Sequence, residues 1–245
     1  MQRIYLIDNS PAAALGALAR AFDADYVHLP QNPGYGRAHN FAIRCGLALG
    51  SDYHLVLNPD IHFSPDVLPA MLHYMEANRE VGLLSPRVKY PNGHPQHLCK
   101  LLPTPLDLLI RRFCPPLHRL TGRLAQYELH HSGYDRIMDV PALSGCFMLI
   151  RASVLRDVGG FDERFFLYFE DVDLTRRIGG VARTLYFPHV SIVHDYGKGS
   201  YKSVRLTLCH TLSAIRYFNK WGWFADAERD HINRNAIRRL PSHPS

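Results

Sequence analysis

The sequence predicts an α/β fold in which a mostly parallel sheet carries helices on both faces. The first part of the chain alternates short apolar segments with longer helix-forming ones, which is the pattern of repeated strand–helix units. Most of the apolar segments end at a turn signal built from Asn, Asp, Pro or Gly. A length of 245 residues, of which 47% are hydrophobic, is enough to bury one sizeable core.

The elements are expected in a definite order along the chain. Before residue 90 the pattern predicts strands at residues 3–7, 25–29, 54–57 and 81–85 and helices at residues 12–22, 37–49 and 65–77. Beyond residue 139 it predicts strands at residues 140–150, 183–187 and 190–193 and helices at residues 152–158, 171–178 and 202–223. In the last helix an apolar face is predicted from a spacing of three or four residues, at Leu206, Cys209, Leu212, Ile215 and Phe218.

Residues 91–135 interrupt this order. They are rich in proline and show no clean alternation, so we expect a long irregular insertion, which is either functional or an ordinary surface excursion. The predicted organisation is one α/β domain over residues 1–200, containing this insertion, and a C-terminal helical tail over residues 201–245.

Composition excludes several classes of protein. The five cysteines are scattered and none lies in a CxxC pair, so a reducing compartment is favoured over a disulfide framework or a structural zinc site. No apolar run approaches the roughly 20 residues that span a bilayer, so any membrane contact is expected to be peripheral. The net charge of +6 suits an anionic membrane, a phosphorylated substrate or nucleic acid, but no nucleic-acid-binding motif accompanies it.

Polar residues follow several predicted strands, and ligands of open α/β sheets bind beyond such strand ends. The residues at these positions are Asp8, Asn9, Asn32, Asn58, Asp60 and His194. Pro59 must end its strand and expose Asp60, whose carboxylate could bind a hard divalent cation that in turn binds a diphosphate. A plain Asn-Pro-Asp turn is the alternative reading of that triplet, and His194 is either a metal or phosphate contact or an ordinary structural histidine.

Two further segments could contact an anion. The glycine-bearing loop from Asn32 through Gly34 leads into a predicted helix, whose first backbone amides suit an anion and to which Arg37 adds a charge. The alternative is a simple turn with a helix cap. Lys198, in the loop after His194, is a candidate phosphate contact.

The densest group of acids is the run Glu170-Asp171-Val172-Asp173, which follows a stretch of aromatic residues. Part of it has a structural explanation, because Asp171 or Asp173 can cap a helix and Asp173 can pair with Arg177 four residues later. A carboxylate beside an apolar wall is also how proteins build a general base. The run is therefore the candidate catalytic centre.

Taken together, these segments resemble the inverting glycosyltransferase family two of GT-A fold, and most of all its bacterial rhamnosyltransferase-like members that build cell-surface polysaccharides. The resemblance covers roughly residues 3 to 220, and its motifs occur in the family's order. They are Leu6-Ile-Asp-Asn-Ser10, Asn32-Pro-Gly-Tyr-Gly36 with Asn40, Leu57-Asn-Pro-Asp60, Leu143-Ser-Gly-Cys-Phe-Met-Leu-Ile150, Gly159-Gly-Phe-Asp-Glu-Arg-Phe-Phe166, Tyr168-Phe-Glu-Asp-Val-Asp-Leu174, and Val193-His194 with Gly199-Ser200.

The resemblance implies roles for the acidic residues. Asp171 matches the family's catalytic base, and Glu170 is expected to orient the site or the acceptor. Asp60 stands where a DXD-type motif holds a divalent cation, Mg²⁺ or Mn²⁺, and the donor diphosphate, although Asn58 occupies the earlier polar position. His194 matches a position that approaches the metal or the diphosphate.

The resemblance also implies a donor-binding side. The residues expected to contact the nucleotide or the donor sugar, besides Asn58 and Asp60, are Asp8, Asn9, Asn32, Gly34, Arg37, Gly145 and Lys198. Members of the family usually begin with a strand and a helix before the segment that matches Leu6-Ile-Asp-Asn-Ser10. This chain reaches that segment almost at once, so we expect its sheet to lack the usual first strand.

The expected function is inverting transfer of a sugar, with rhamnose favoured, from a dTDP- or UDP-sugar to a glycan or lipid-linked glycan. The alternative is a catalytically weak sugar-nucleotide-binding or complex-forming protein of the same fold. A cytoplasmic location is expected, at the inner face of the bacterial plasma membrane if the acceptor is lipid-linked. The basic, leucine-rich residues 101–123 and the region of Trp221 and Trp223 are expected to face an anionic bilayer, unless the two tryptophans only cap the final helix.

Overall fold

A computed structural model describes residues 3–113, 122–195 and 203–240. Its strands are β1 (Tyr5–Asp8), β2 (Asp25–His28), β3 (Tyr53–Leu57), β4 (Ile61–His62), β5 (Val81–Lys89), β6 (Met138–Asp139), β7 (Phe147–Arg151) and β8 (Arg183–His194). Its helices are α1 (Gly16–Ala21), α2 (Tyr35–Ala48), α3 (Val67–Ala77), α4 (Pro105–Phe113), α5 (Arg123–Tyr127), α6 (Ala152–Val158), α7 (Glu170–Gly179), α8 (Val204–Trp221) and α9 (Ala227–Arg239), with a short 3₁₀ turn at His130–Ser132. The α/β class predicted from the sequence is confirmed.

The main sheet is mixed in strand direction. Its strands lie in the order β3-β7-β5-β8-β4, and β6 pairs with β8 outside this path. Only β5 and β8 run parallel in it, whereas β7 enters antiparallel between β3 and β5. The prediction of a mostly parallel sheet is wrong on this point, because β7, which follows the long insertion, runs antiparallel to both of its neighbours.

A second, two-stranded sheet consists of the parallel pair β1 and β2. Within the described residues no strand joins this pair to the main sheet, where β3 pairs with β7 alone. Helix α2 contacts both β1 and β3 and so holds the two sheets together.

Helices cover both faces of the main sheet, as predicted. Alternate residues of a strand point to opposite faces, so Leu83 and Leu84 of β5 belong to two different hydrophobic clusters. The first cluster includes Ile43 of α2 and Leu174 of α7, and the second includes Met71 of α3. Helix α7 is thereby fixed against the sheet, which matters because its first turn carries the acidic run.

The described parts of the insertion, residues 91–113 and 122–135, are more regular and better anchored than their sequence suggests. They contain α4 and α5, and they contribute Leu101, Leu102, Tyr127 and Leu129 to the core. The backbone N–H and C=O of Leu102 both pair with the side-chain amide of Asn233 in α9. Burial of Leu101 and Leu102 removes them from the predicted membrane-facing surface.

Helix α8 is present as predicted, but only part of the predicted apolar set is buried. Ser213, Tyr217 and Phe218 point into the protein, whereas Leu212 and Ile215 are exposed. Tyr217 and Phe218 pack on Phe165 and Phe169, which precede α7, and these rings decide the rotation of the helix. None of the helices in the described segments combines the length and apolarity needed to cross a bilayer.

Candidate active site

The glycine loop around Gly34 packs closely against residues 161–166, the segment that precedes α7. Gly34 has a φ of 97°, and a Cβ at this position would overlap the carbonyl oxygen of Phe166. The next amide, that of Tyr35, donates to the same oxygen at 2.9 Å. The side chain of Asn40 accepts from the N–H of Phe161 at 2.8 Å and donates to its carbonyl at 2.9 Å. Residues 34–40 and 161–166, which lie far apart in the sequence, thus form one wall of the site.

Tyr35 lies at the centre of the site, although it is not among the site residues that the sequence predicts. Its hydroxyl donates to the carbonyl of Gly145 at 2.7 Å and lies 3.1 Å from Oδ1 of Asn58. Burial, followed by the charges of Glu170 and Asp171, raises the pKa of Tyr35 well above its ordinary value. The side chain therefore stays protonated and joins three candidate segments. Its position between two glycines at a helix start was the available sequence signal.

Asp171 is held on the first turn of α7 by two backbone amides. Its Oδ2 accepts from the N–H of Gly145 at 3.0 Å, and its Oδ1 accepts from the N–H of Val172 at 2.8 Å. The residue is only partly buried. A carboxylate fixed in orientation and reachable from solvent has the geometry of a general base.

Glu170 has a different environment from that of its neighbour. It is 5% exposed, and its Oε2 has no hydrogen-bond partner among the described residues. Burial first, and then repulsion from Asp171, raises the pKa of Glu170 well above its ordinary value. A buried carboxyl group that keeps its proton can donate a hydrogen bond beside Asp171.

Asp60 and His194 meet where β4 pairs with β8. The Nε2 atom of His194 lies 3.5 Å from Oδ2 of Asp60, and its Nδ1 lies 3.1 Å from Oε1 of Gln96. Burial lowers the pKa of His194, against the opposing attraction of Asp60. A neutral imidazole and a carboxylate are both metal ligands.

The residues around Asp60 can supply only part of a metal coordination shell. The described segments contain no group of three or more His, Cys, Asp and Glu side chains arranged to hold a metal. Oδ1 of Asp60 is buried and has no hydrogen-bond partner there. Asp60 and His194 therefore fit a cation such as Mg²⁺ or Mn²⁺ that takes its other ligands from phosphate oxygens and water.

The acidic groups and the Asp60–His194 pair belong to one site. The charges of Glu170, Asp171 and Asp60 all act on the hydroxyl of Tyr35, and those of Asp171 and Asp60 also act on Cys146. Gly145 lies between them, with its carbonyl on Tyr35 and its N–H on Asp171.

Two of the predicted nucleotide-contact residues, Asp8 and Asn9, lie at the end of β1. Asp8 accepts from the N–H of Ser10 and from the hydroxyls of Ser10 and Tyr26, and these bonds, above all those of Ser10, lower the pKa of Asp8. Asn9 presents a buried Oδ1 that has no partner in the described part of the chain.

The remaining candidates differ in what they contact. Oδ1 of Asn32 accepts from the N–H of Gly34, and Arg37 is exposed and pairs with Glu163 at 2.9 Å. Lys198 lies outside the described residues.

Asp173 has a structural environment, as the sequence indicated. It is fully buried, and its Oδ2 accepts from Nε of Arg177 at 2.8 Å, which is the predicted pair. Its Oδ1 also accepts from Nζ of Lys220 at 2.6 Å and from the indole N–H of Trp221 at 2.8 Å. Asp173 thus ties α7 to α8, and Trp221 is part of that contact.

The α/β fold and this carboxylate-bearing site belong to a chain whose relatives are glycosyltransferases. The sequence profile of the family described as glycosyl transferase family 2 matches residues 2–159. The chain belongs to that family.

Curated relatives include two rhamnosyltransferases. The N-acetylglucosaminyl-diphospho-decaprenol L-rhamnosyltransferase of Mycobacterium tuberculosis is 31% identical over 178 residues, covering 66% of this chain and 56% of the relative. The rhamnosyltransferase WbbL of Escherichia coli K12 is 28% identical over 203 residues, covering 78% of this chain and 72% of the relative. The chain thus spans little more than half the length of the mycobacterial relative.

Solved structures share the fold. The mannosyltransferase PcManGT from Pyrobaculum calidifontis, in complex with GDP-Man and Mn²⁺, has a TM-score of 0.53 and 15% identity, over 99% of this chain and 67% of that one. The central sheet with flanking helices is therefore the GT-A architecture expected from the motifs.

Proposed function

We propose that this protein transfers a sugar, with rhamnose favoured, from a dTDP- or UDP-sugar to a hydroxyl of a glycan or lipid-linked glycan, with inversion. The observation that carries the proposal is the position of Asp171, fixed by the amides of Gly145 and Val172. It lies in one site with the Asp60–His194 pair, which suits the donor diphosphate.

In the proposed reaction Asp171 takes the proton of the acceptor hydroxyl while that oxygen forms a bond to the anomeric carbon. The bond from the anomeric carbon to the diphosphate oxygen breaks, and the nucleoside diphosphate departs with the bonding electron pair. A single displacement of this kind inverts the anomeric centre. Glu170, held neutral by its burial, donates a hydrogen bond that orients the acceptor or the site.

The donor diphosphate is proposed to bind on the Asp60 side. Asp60 and His194 would hold a divalent cation, which neutralises charge on the departing diphosphate when it is bound. The Mn²⁺ complex of the mannosyltransferase supports this assignment. Asn58 and Gly145 are proposed to line the donor sugar, and the nucleotide contacts are proposed at Asp8, Asn9, Asn32, Gly34, Arg37 and Lys198.

The acceptor and the cellular role are proposed from the relatives. The name of the mycobacterial relative specifies a rhamnose donor and a lipid-diphosphate acceptor. We assign residues 1–200 to the transferase domain, residues 91–135 to its acceptor side and residues 201–245 to a helical tail. The role is cell-surface polysaccharide synthesis, with the site facing the cytoplasm at the inner face of the plasma membrane.

A catalytically weak sugar-nucleotide-binding protein is the second candidate. It is favoured by the division of the sheet, since β1 and β2 are not joined to β3 by any strand in the described residues. A split nucleotide-binding edge would leave donor binding loose and turnover low.

The two candidates are separated by binding and turnover measured together. Calorimetry with dTDP and UDP in Mg²⁺ or Mn²⁺ tests binding, and a panel of nucleotide sugars with a lipid-linked glycan acceptor tests transfer. In Asp171→Asn we expect nucleotide binding to persist and transfer to fall by about 10²- to 10⁴-fold. Asp157→Asn, which changes an exposed acid on α6, is the matched control.

Each outcome decides between the candidates. Unchanged turnover in Asp171→Asn overturns the assigned base. Tight nucleotide binding without turnover in the wild-type protein supports the second candidate. Absence of nucleotide binding under every metal condition contradicts both candidates.

A further inference from the structure

Helix α8 carries an apolar stripe on its solvent side. Val204, Leu208, Leu212 and Ile215 recur at intervals of four, four and three residues, which places them on one face. They are 89%, 58%, 44% and 38% exposed, respectively. The opposite face of α8 is already packed on the protein, so this helix is apolar on both sides.

Other exposed apolar residues extend the stripe. In α4, Leu108 packs on the same cluster as Tyr217 of α8, while Leu106 and Leu109 are exposed. Phe224, just beyond the end of α8, is 86% exposed. Exposed aliphatic side chains on two helices that share a core cluster, together with an aromatic ring just beyond α8, are typical of an interaction surface.

The charges of this face are positive. Helix α8 contains no acidic residue, and its two arginines, Arg205 and Arg216, are exposed, whereas Lys220 is paired with Asp162 and Asp173. The only acid of α4, Asp107, is nearly buried and pairs with Arg123 at 2.8 Å. An amphipathic helix with arginines beside an aliphatic stripe complements an anionic lipid surface.

We propose that the face formed by α8, Leu106 and Leu109 of α4, and Phe224 docks on an anionic bilayer, with the axis of α8 in the membrane plane. A second copy of the chain fits this face less well, because both partners would bring the same arginines to the rim of the interface. The bilayer supplies negative charge around an apolar interior, which matches both features.

The docking face lies close to the proposed catalytic centre. The buried side of α8 contacts Phe169, the residue before Glu170 and Asp171. One helix diameter of about 10 Å thus separates the bilayer from the start of α7. In this respect the inference rests on the proposed function, since the position suits an acceptor whose lipid stays in the membrane.

The surface differs from the one predicted from the sequence. Leu101, Leu102 and Trp221 belong to the protein interior or to the contact between α7 and α8. Trp223 is partly exposed, and residues 114–121 lie outside the described segments.

Flotation with vesicles tests the docking face. We expect the wild-type protein to float with vesicles of phosphatidylglycerol and phosphatidylcholine at low salt, and much less with phosphatidylcholine alone. Leu208→Glu/Leu212→Glu should lower the bound fraction at least about tenfold, whereas Leu18→Glu on α1, which is also half exposed, should leave it unchanged. Thermal unfolding of both variants should match the wild type, because the changed side chains are exposed.

Two outcomes overturn the proposal. One is a wild-type protein that does not float with anionic vesicles at low salt. The other is a dimer in light scattering that Leu208→Glu/Leu212→Glu dissociates while flotation stays unchanged, which assigns the stripe to a second copy. Transfer to a water-soluble acceptor should be equal in the wild type and this variant. Absence of transfer in both, with flotation intact in the wild type, contradicts the proposed function and not the docking face.

Discussion

The carboxylate of Asp171 accepts a hydrogen bond from the backbone N–H of Gly145 at 3.0 Å, and the two residues are in close contact. A Cβ added at Gly145 would lie 3.3 Å from Cβ of Asp171 and 3.3 Å from the hydroxyl of Tyr35. Gly145→Ala should therefore shift both side chains by a few tenths of an ångström. We expect kcat to fall about tenfold or more, because small misplacements of a base are costly.

Gly179→Ala is the matched control for this prediction. It lies at the end of the same helix as Asp171, and its added Cβ would meet no atom within 4 Å. Alanine should stabilise the helix slightly there and leave kcat unchanged. Equal kcat values in the two variants would show that the close contact with Gly145 does not position the base.

Tyr35→Phe should weaken both the site and the fold. Loss of the hydroxyl leaves the buried carbonyl of Gly145 without its 2.7 Å donor, which costs about 1–3 kcal/mol in the free energy of unfolding. Urea unfolding and steady-state kinetics should both show the loss. Tyr53→Phe, at the opposite end of β3 from Asn58, should affect stability alone. A Tyr35→Phe enzyme with wild-type turnover would limit Tyr35 to a structural role.

The features that the sequence predicted correctly are local ones. The pair of Asp173 and Arg177 spans four residues on one helix, and the α/β alternation needs only neighbouring segments. The partners of the Tyr35 hydroxyl are 23 and 110 residues away, and those of Asp173 in α8 are 47 and 48 residues away. Spacing carries no information about such contacts.

The same limit explains the errors. The insertion brings β7 into the sheet antiparallel, which no local pattern specifies. In α8 the buried face is chosen by rings on another segment, since both faces of the helix are apolar. Periodicity identifies such a helix but not its rotation.

Asp60→Asn should reduce the contribution of a divalent cation to nucleotide binding. An amide is a weaker ligand than a carboxylate, so we expect the Mn²⁺-dependent gain in affinity for UDP or dTDP, measured by calorimetry, to fall about tenfold or more. His194→Gln should act in the same direction. Asp52→Asn, at the other end of β3, should leave the gain unchanged. A gain that survives both Asp60→Asn and His194→Gln would place the cation elsewhere.

Asp173→Asn should destabilise the protein strongly. The carboxylate is fully buried between Arg177 and Lys220, and its loss leaves the guanidinium of Arg177 without its carboxylate partner and Lys220 with Asp162 alone. Breaking such a buried pair costs about 3–5 kcal/mol, which urea unfolding would detect. Glu76→Gln, which removes an exposed pair with Arg79, should cost less than about 1 kcal/mol. Similar losses in the two variants would contradict a supporting role for the buried contact.

Stability should fall as the pH drops from about 6.5 towards 4, because two partly buried histidines favour their neutral form in the folded protein. Burial lowers the pKa of His39 and that of His54 to about 4. Between the unfolded value near 6.5 and that folded value, the unfolded chain binds more protons, so acid favours unfolding by up to roughly 3 kcal/mol for each histidine. The free energy of unfolding of His54→Gln, measured by urea titration from pH 7 to 4.5, should therefore vary less with pH than that of the wild type. His73→Gln, which changes an exposed histidine of α3, is the control and should keep the wild-type dependence of unfolding free energy on pH. If His54→Gln keeps that dependence as well, burial does not lower the pKa of His54 in the folded protein.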